Sequence, residues 1–87
     1  TTFRVSYREM VAVARCETGG TFDPRAKNPH SSARGLYQFL TEPNGGTWAR
    51  TPYRAFSVYD AHANAMAAAW LYVHDGRSWR EWECSPV

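Results

Sequence analysis

No apolar run in this 87-residue chain approaches the length needed to cross a bilayer, so a membrane span is excluded and a soluble domain is expected. Charge of one sign is scarce: ten Lys and Arg against eight Asp and Glu leave +2. That excess is too weak to argue for nucleic acid and only mildly favours an anionic polymer. Cysteine is limited to Cys16 and Cys84, and neither belongs to a C-x-x-C pair, which argues against a metal centre. The three histidines, His30, His62 and His74, are not spaced i, i+4 with another ligand. The nucleophile motif that a Ser-His-Asp triad would need is missing. Surface or helix-facing histidines are expected, with neither metal nor cofactor. Internal repeats and low-complexity segments are absent. The chain starts at Thr1 with no signal-like stretch, as expected of a mature product or a domain excised from a larger protein.

What is present suits one small domain over 1–87, near the size at which a single core is marginally stable. Hydrophobic residues make up 44%, and the aromatic share of 15% is rich, with four Trp and five Tyr. Such side chains bury well, and they also line grooves that stack on sugar rings. Cys16 and Cys84 lie towards opposite ends of the chain. A disulfide between them would close nearly the whole domain, worth about 4 kcal/mol in the chain-entropy model. The pair reads as a staple and implies an oxidising, extracellular setting; two buried free thiols are the other reading.

Three Ser residues stand three positions before an acid, the spacing of a capping box: Ser6 with Glu9, Ser57 with Asp60, and Ser78 with Glu81. The first predicts a helix over 7–18, with Met10, Val11, Ala14 and Glu17 along one face and Gly19-Gly20 ending it. The second predicts an alanine-rich helix over 58–74, and the third a short helix over 79–84. Between 21 and 54 lie Pro24, Pro29, Pro43 and Pro52 with Gly35, Gly45 and Gly46. Loops, a short hairpin and one helical piece over 36–41 are expected there. The expected fold is mainly α (α+β), with three to four helices, a loop-rich flank and one disulfide.

Glu17 is the most informative residue. It lies on the apolar side of its helix where the chain turns sharply, and a carboxyl among apolar neighbours tends to stay protonated and able to donate. The bland reading is a helix-end glutamate held by Arg15 or Arg34. The surrounding motifs carry a resemblance: Cys16-Glu17-Thr18-Gly19-Gly20, then Phe22-Asp23-Pro24-x-Ala26-x-Asn28, then Ser32-Ala33-x-Gly35-Leu36-Tyr37-Gln38-Phe39. This order resembles the lysozyme-like lytic transglycosylases, and Asp60-x-x-x-Asn64 before an Ala-rich helix is similar to a helix that packs beneath their site. The Cys-Glu-x-Gly-Gly opening and the Trp-rich end look more like resuscitation-promoting factors and phage lysin or tail domains. Ser32 stands where that family has glycine, Thr47-Trp48 arrives late, and the downstream A-Y-N-A-G motif is absent.

The resemblance implies a monomeric, lysozyme-like domain that cleaves the β-1,4 bond between N-acetylmuramic acid and N-acetylglucosamine in peptidoglycan. The expected setting is the cell wall or a phage virion. Glu17 would be the single acid and base. Gln38, Tyr37, Ser32, Trp48, Tyr53 and Tyr59 would contact the glycan strand, with Gln38 donating to an N-acetyl group or bonding nearby backbone. Trp70 and Trp79 are expected in the core. Among possible second carboxylates, Asp23 and Asp60 resemble cap or turn residues, Asp75 a solvated helix exit, and Glu42 follows the Gln38 motif. A hydrolytic muramidase and a wall-binding module with little activity are the competing readings.

Overall fold

Ser6 opens the first helix as its spacing suggests. In the computed structural model, which describes residues 5–79 and Trp82, α1 spans Tyr7–Glu17, and the Ser6 hydroxyl accepts the Glu9 N–H at 3.3 Å. The Glu9 carboxylate accepts the Trp79 indole N–H at 2.8 Å, tying the start of α1 to the far end of the described chain. Thr18 closes α1: its amide and hydroxyl both donate to the Ala14 carbonyl, at 3.0 and 2.8 Å. Gly19 and Gly20 then turn the chain at φ 65° and 90°, left-handed values that glycine adopts without penalty.

The second helix, α2, spans Ala61–His74 and starts later than expected. Asp60, not Ser57, is its N-cap, accepting the Ala63 N–H at 2.9 Å. Ser57 instead accepts the Tyr59 N–H at 3.1 Å, closing a turn just upstream. Two good capping side chains compete three residues apart, and spacing alone does not rank them.

Between the helices lies a short antiparallel hairpin, β1 (Ala33–Arg34) with β2 (Phe39–Leu40), in register Ala33 to Leu40 and Arg34 to Phe39. Lys27 bridges to Arg34 on the other side of β1. The helical piece expected over 36–41 is therefore absent. Gly35 at φ 83° and Gln38 at φ 52° lie in the left-handed region, which breaks a right-handed helix and makes these four residues a hairpin turn. A single 3-10 turn, Trp48–Arg50, follows.

The expectation of three to four helices is thus corrected to two α-helices and a two-stranded sheet among the described residues. The last expected helix, over 79–84, falls mostly outside them, and Trp79 and Trp82, which are described, are not helical. The disulfide is likewise withdrawn as an element of this fold. Cys16 is not a free thiol, but Cys84 lies outside the described residues and no disulfide is found among them. No helix among the described residues is long and apolar enough to cross a membrane.

The core gathers on α2, which is buried at Ala63, Ala67, Ala68, Ala69 and Leu71. Val13 and Ala14 of α1 pack there with Tyr37 and Phe39 of the hairpin and three indoles. Phe39 stands edge-on to Trp48 and Trp82 at centroid separations of 5.4 and 6.1 Å. Such aromatic pairs add about 0.5–1.5 kcal/mol each beyond area burial.

Asn64 joins the two halves. Its side chain is fully buried, accepts the Tyr37 backbone N–H at 2.7 Å and donates to the Val58 carbonyl at 2.8 Å. Gly35 sits directly against it: a Cβ there would collide with the Asn64 amide and the Val58 carbonyl. Replacing Asn64 by Ala strands a buried donor and a buried acceptor. We expect a loss of about 2–4 kcal/mol, read as a lower urea midpoint with unchanged slope.

Tyr37 supplies a pH signature. Burial pushes its phenol up from 10.0 to about 12, and its O–H donates to the Met10 carbonyl at 2.8 Å. Because the folded state holds the proton more tightly, this stabilisation is complete below pH 10 and is lost as pH rises through about 12. Urea midpoints measured from pH 9 upward should fall across that window, and Tyr37→Phe should flatten the fall while costing about 1 kcal/mol at neutral pH.

A cleft at the end of the first helix

Glu17 is the last residue of α1, one helical step beyond Val13 and Ala14 on the buried face, and its side chain is half-buried. It forms one wall of a cleft of about 200 Å³. Asn28 and Ser31 of the loop before β1, Ala33 of β1, and Gln38, Leu40 and Trp82 complete the lining. A smaller cleft of about 70 Å³ shares Gln38, Leu40 and Trp82 and extends between Thr47 and Leu71.

Backbone geometry puts these groups together. Gly35 and Gln38, in the left-handed region, shape the hairpin that carries the lining residues Gln38 and Leu40. The Thr18 hydroxyl, besides capping α1, accepts the Phe22 N–H at 2.9 Å and so fixes the first step of the loop leaving Glu17. Arg34 aims Nη1 at the carbonyls of Asn28, Ser31 and Ala33, at 3.4, 2.8 and 2.9 Å. Arg15 lies over the Phe22 ring, 5.9 Å from its centroid.

The other expected contact residues mostly turn out to be structural. Gln38 reaches the cleft, but its amide donates to the Ala26 and Gly35 carbonyls at 3.1 and 2.8 Å, so both of its donors are committed to backbone. Tyr37 and Trp48 are core residues, and the Trp48 indole donates to the Phe56 carbonyl at 3.2 Å. Ser32 closes the mouth of the hairpin, its hydroxyl accepting the Thr41 and Glu42 N–H groups at 3.2 and 3.1 Å. Its neighbour Ser31 is the serine in the cleft. Tyr53 and Tyr59 are half-buried and line neither cleft; the Lys27 ammonium sits 6.0 Å from the Tyr59 centroid.

Of the carboxylates weighed as a second acid, Asp23 accepts the Arg25 N–H at 2.9 Å and Asp60 caps α2. Glu42 is exposed outside the cleft, and Asp75 is the C-cap of α2. Glu17 is the one carboxylate lining the cleft among the described residues. His74 stacks on Trp70 at 4.1 Å, and no group of three or more described His, Cys, Asp or Glu could hold a metal ion.

Asn28, Ser31 and Trp82 were not assigned to the site by sequence reasoning. Asn28 stands in the Phe22–Asn28 motif, and that signal could have marked it. Ser31 and Trp82 carried none, since only the folded loop and the core indoles bring them there. Against known proteins, the chain matches no family model, no curated protein and no solved structure. The site is therefore read from its own chemistry.

Gln38→Glu keeps the shape of the turn but sets a carboxylate against two carbonyl oxygens. At neutral pH it should destabilise the fold by about 1–3 kcal/mol, and thermal melts should show part of that loss recovered in acid as a donor returns.

Proposed function

We propose that this protein cleaves the β-1,4 bond between N-acetylmuramic acid and N-acetylglucosamine in peptidoglycan, with Glu17 as the single acid and base. The observation that supports it most is the setting of Glu17: a half-buried carboxyl at a helix end, in the wall of a cleft that amide and hydroxyl side chains also line. The motif order around Glu17, Asn28 and Gln38 resembles the lytic transglycosylases, which adds weight. The reading carries with it an extracellular, cell-wall or virion location and a monomer acting on a glycan strand.

In this mechanism the Glu17 proton passes to the glycosidic oxygen as the bond from that oxygen to the anomeric carbon breaks. The oxocarbenium-like centre is met by the oxygen of the sugar's own N-acetyl group, so no second carboxylate is required. The sugar's 6-hydroxyl then attacks the anomeric carbon, displacing the acetamido oxygen, and its proton returns to the Glu17 carboxylate. The product is a 1,6-anhydro sugar. A hydrolytic muramidase would differ only in that water replaces the 6-hydroxyl. A wall-binding module without activity is the rival favoured by one observation, the internal use of both Gln38 donors.

Purified bacterial cell wall incubated with the natural chain should release soluble fragments. Glu17→Gln should lower the rate by at least about 100-fold while leaving the melting temperature close to the parent's. Equal clearing by both proteins would remove the enzyme reading. Fragment masses lower by one water would mark the anhydro product over reducing ends.

A further inference from the structure

Asn28 and Ser31 of the cleft lie in a loop, residues 28–32, that leads into β1. Its polar side chains are half spent on holding its own shape. The Asn28 Oδ1 accepts the His30 N–H at 2.8 Å, and the Ser31 Oγ accepts the Ala33 N–H at 3.1 Å. A serine hydroxyl that accepts through a lone pair still has its proton to donate. Ser31 lines the cleft and is exposed. Backbone bonds from Asn28 N–H to the Ala33 carbonyl and from Ser31 N–H to the Asn28 carbonyl, at 3.1 and 3.5 Å, also hold the loop. Arg34 Nη1 points at the carbonyls of Asn28, Ser31 and Ala33 at 3.4, 2.8 and 2.9 Å, so the Ser31 peptide is tied directly to this guanidinium.

We infer that Ser31 is a ligand-binding donor of this cleft, taking an acetamido or hydroxyl oxygen of an N-acetylated sugar, and that Arg34 is the positioning residue that aims it. This rests on the glycan-cleaving reading for the identity of the ligand, but not for the geometry. Arg34 acts on the ligand only through Ser31; its contacting nitrogen, Nη1, is fixed in a planar guanidinium, where a lysine ammonium would sit on a flexible stem.

Binding of a soluble N-acetylglucosamine oligomer is the direct test, followed through tryptophan fluorescence because Trp82 lines the cleft. Ser31→Ala should weaken binding by about 2- to 12-fold, the range of one neutral hydrogen bond. Arg34→Lys should do so by a similar factor, with both variants melting near the parent temperature. The deciding arm is the double variant. If Arg34 acts by aiming Ser31, Arg34→Lys on the Ser31→Ala background should add less than about twofold. In cell-wall digestion the single variants should raise KM and leave kcat near the parent value. Full multiplication of the two single effects would overturn the positioning role, and unchanged binding in Ser31→Ala would overturn the site. Should the parent bind the oligomer yet fail to cleave wall, the enzyme reading falls while this binding assignment stands on its own result.

Discussion

A single buried amide organises this fold. Asn64 has nowhere to turn for water, so its carbonyl and its NH2 must both find partners inside the protein. It takes the Tyr37 N–H from the hairpin turn and gives to the Val58 carbonyl in the approach to α2. Those two bonds fasten loop to helix at a place where hydrophobic packing alone would allow sliding. Gly35 completes the contact by presenting no Cβ to the amide.

Polar saturation extends through the molecule. Among the described residues, no buried side-chain nitrogen or oxygen lacks a hydrogen-bond partner. Each core indole follows this rule: Trp48 donates to Phe56, Trp79 to Glu9 and Trp82 to Tyr37. The N–H groups of these indoles select which segments they anchor, while Tyr7, Phe22 and Phe56 remain exposed. What remains for ligand contact is a cleft with one carboxylate, a loop amide, a serine hydroxyl and the exposed flank of Leu40.

The parts legible in the sequence were those governed by near neighbours. Ser6 with Glu9, the glycine pair after Glu17 and the turn role of Asp23 depend on a few consecutive residues, and each appears as expected. Errors came where two local signals competed or where a distant partner decided. Ser57 and Asp60 both suit a helix cap, and Asp60 holds the position. Leu36 to Thr41 has apolar spacing that suits a helix, yet Gly35 and Gln38 in the left-handed region make it a turn and a strand. The resemblance implies that Tyr37 and Trp48 contact the glycan, but the Met10 and Phe56 carbonyls accept their polar ends and both side chains are buried.

From sequence alone came the start of α1, the glycine turn after it, the far end of α2 and the loop-rich middle, because capping, glycine turns and helical spacing act over three or four residues. Only the tertiary structure decided which groups share a cleft with the Glu17 carboxyl. Asn28, Ser31 and Trp82 lie 11, 14 and 65 positions from Glu17 in the chain, and no local preference links them. They meet in a fold where a buried asparagine and three indoles each satisfy their polar atoms through partners in other segments of the chain.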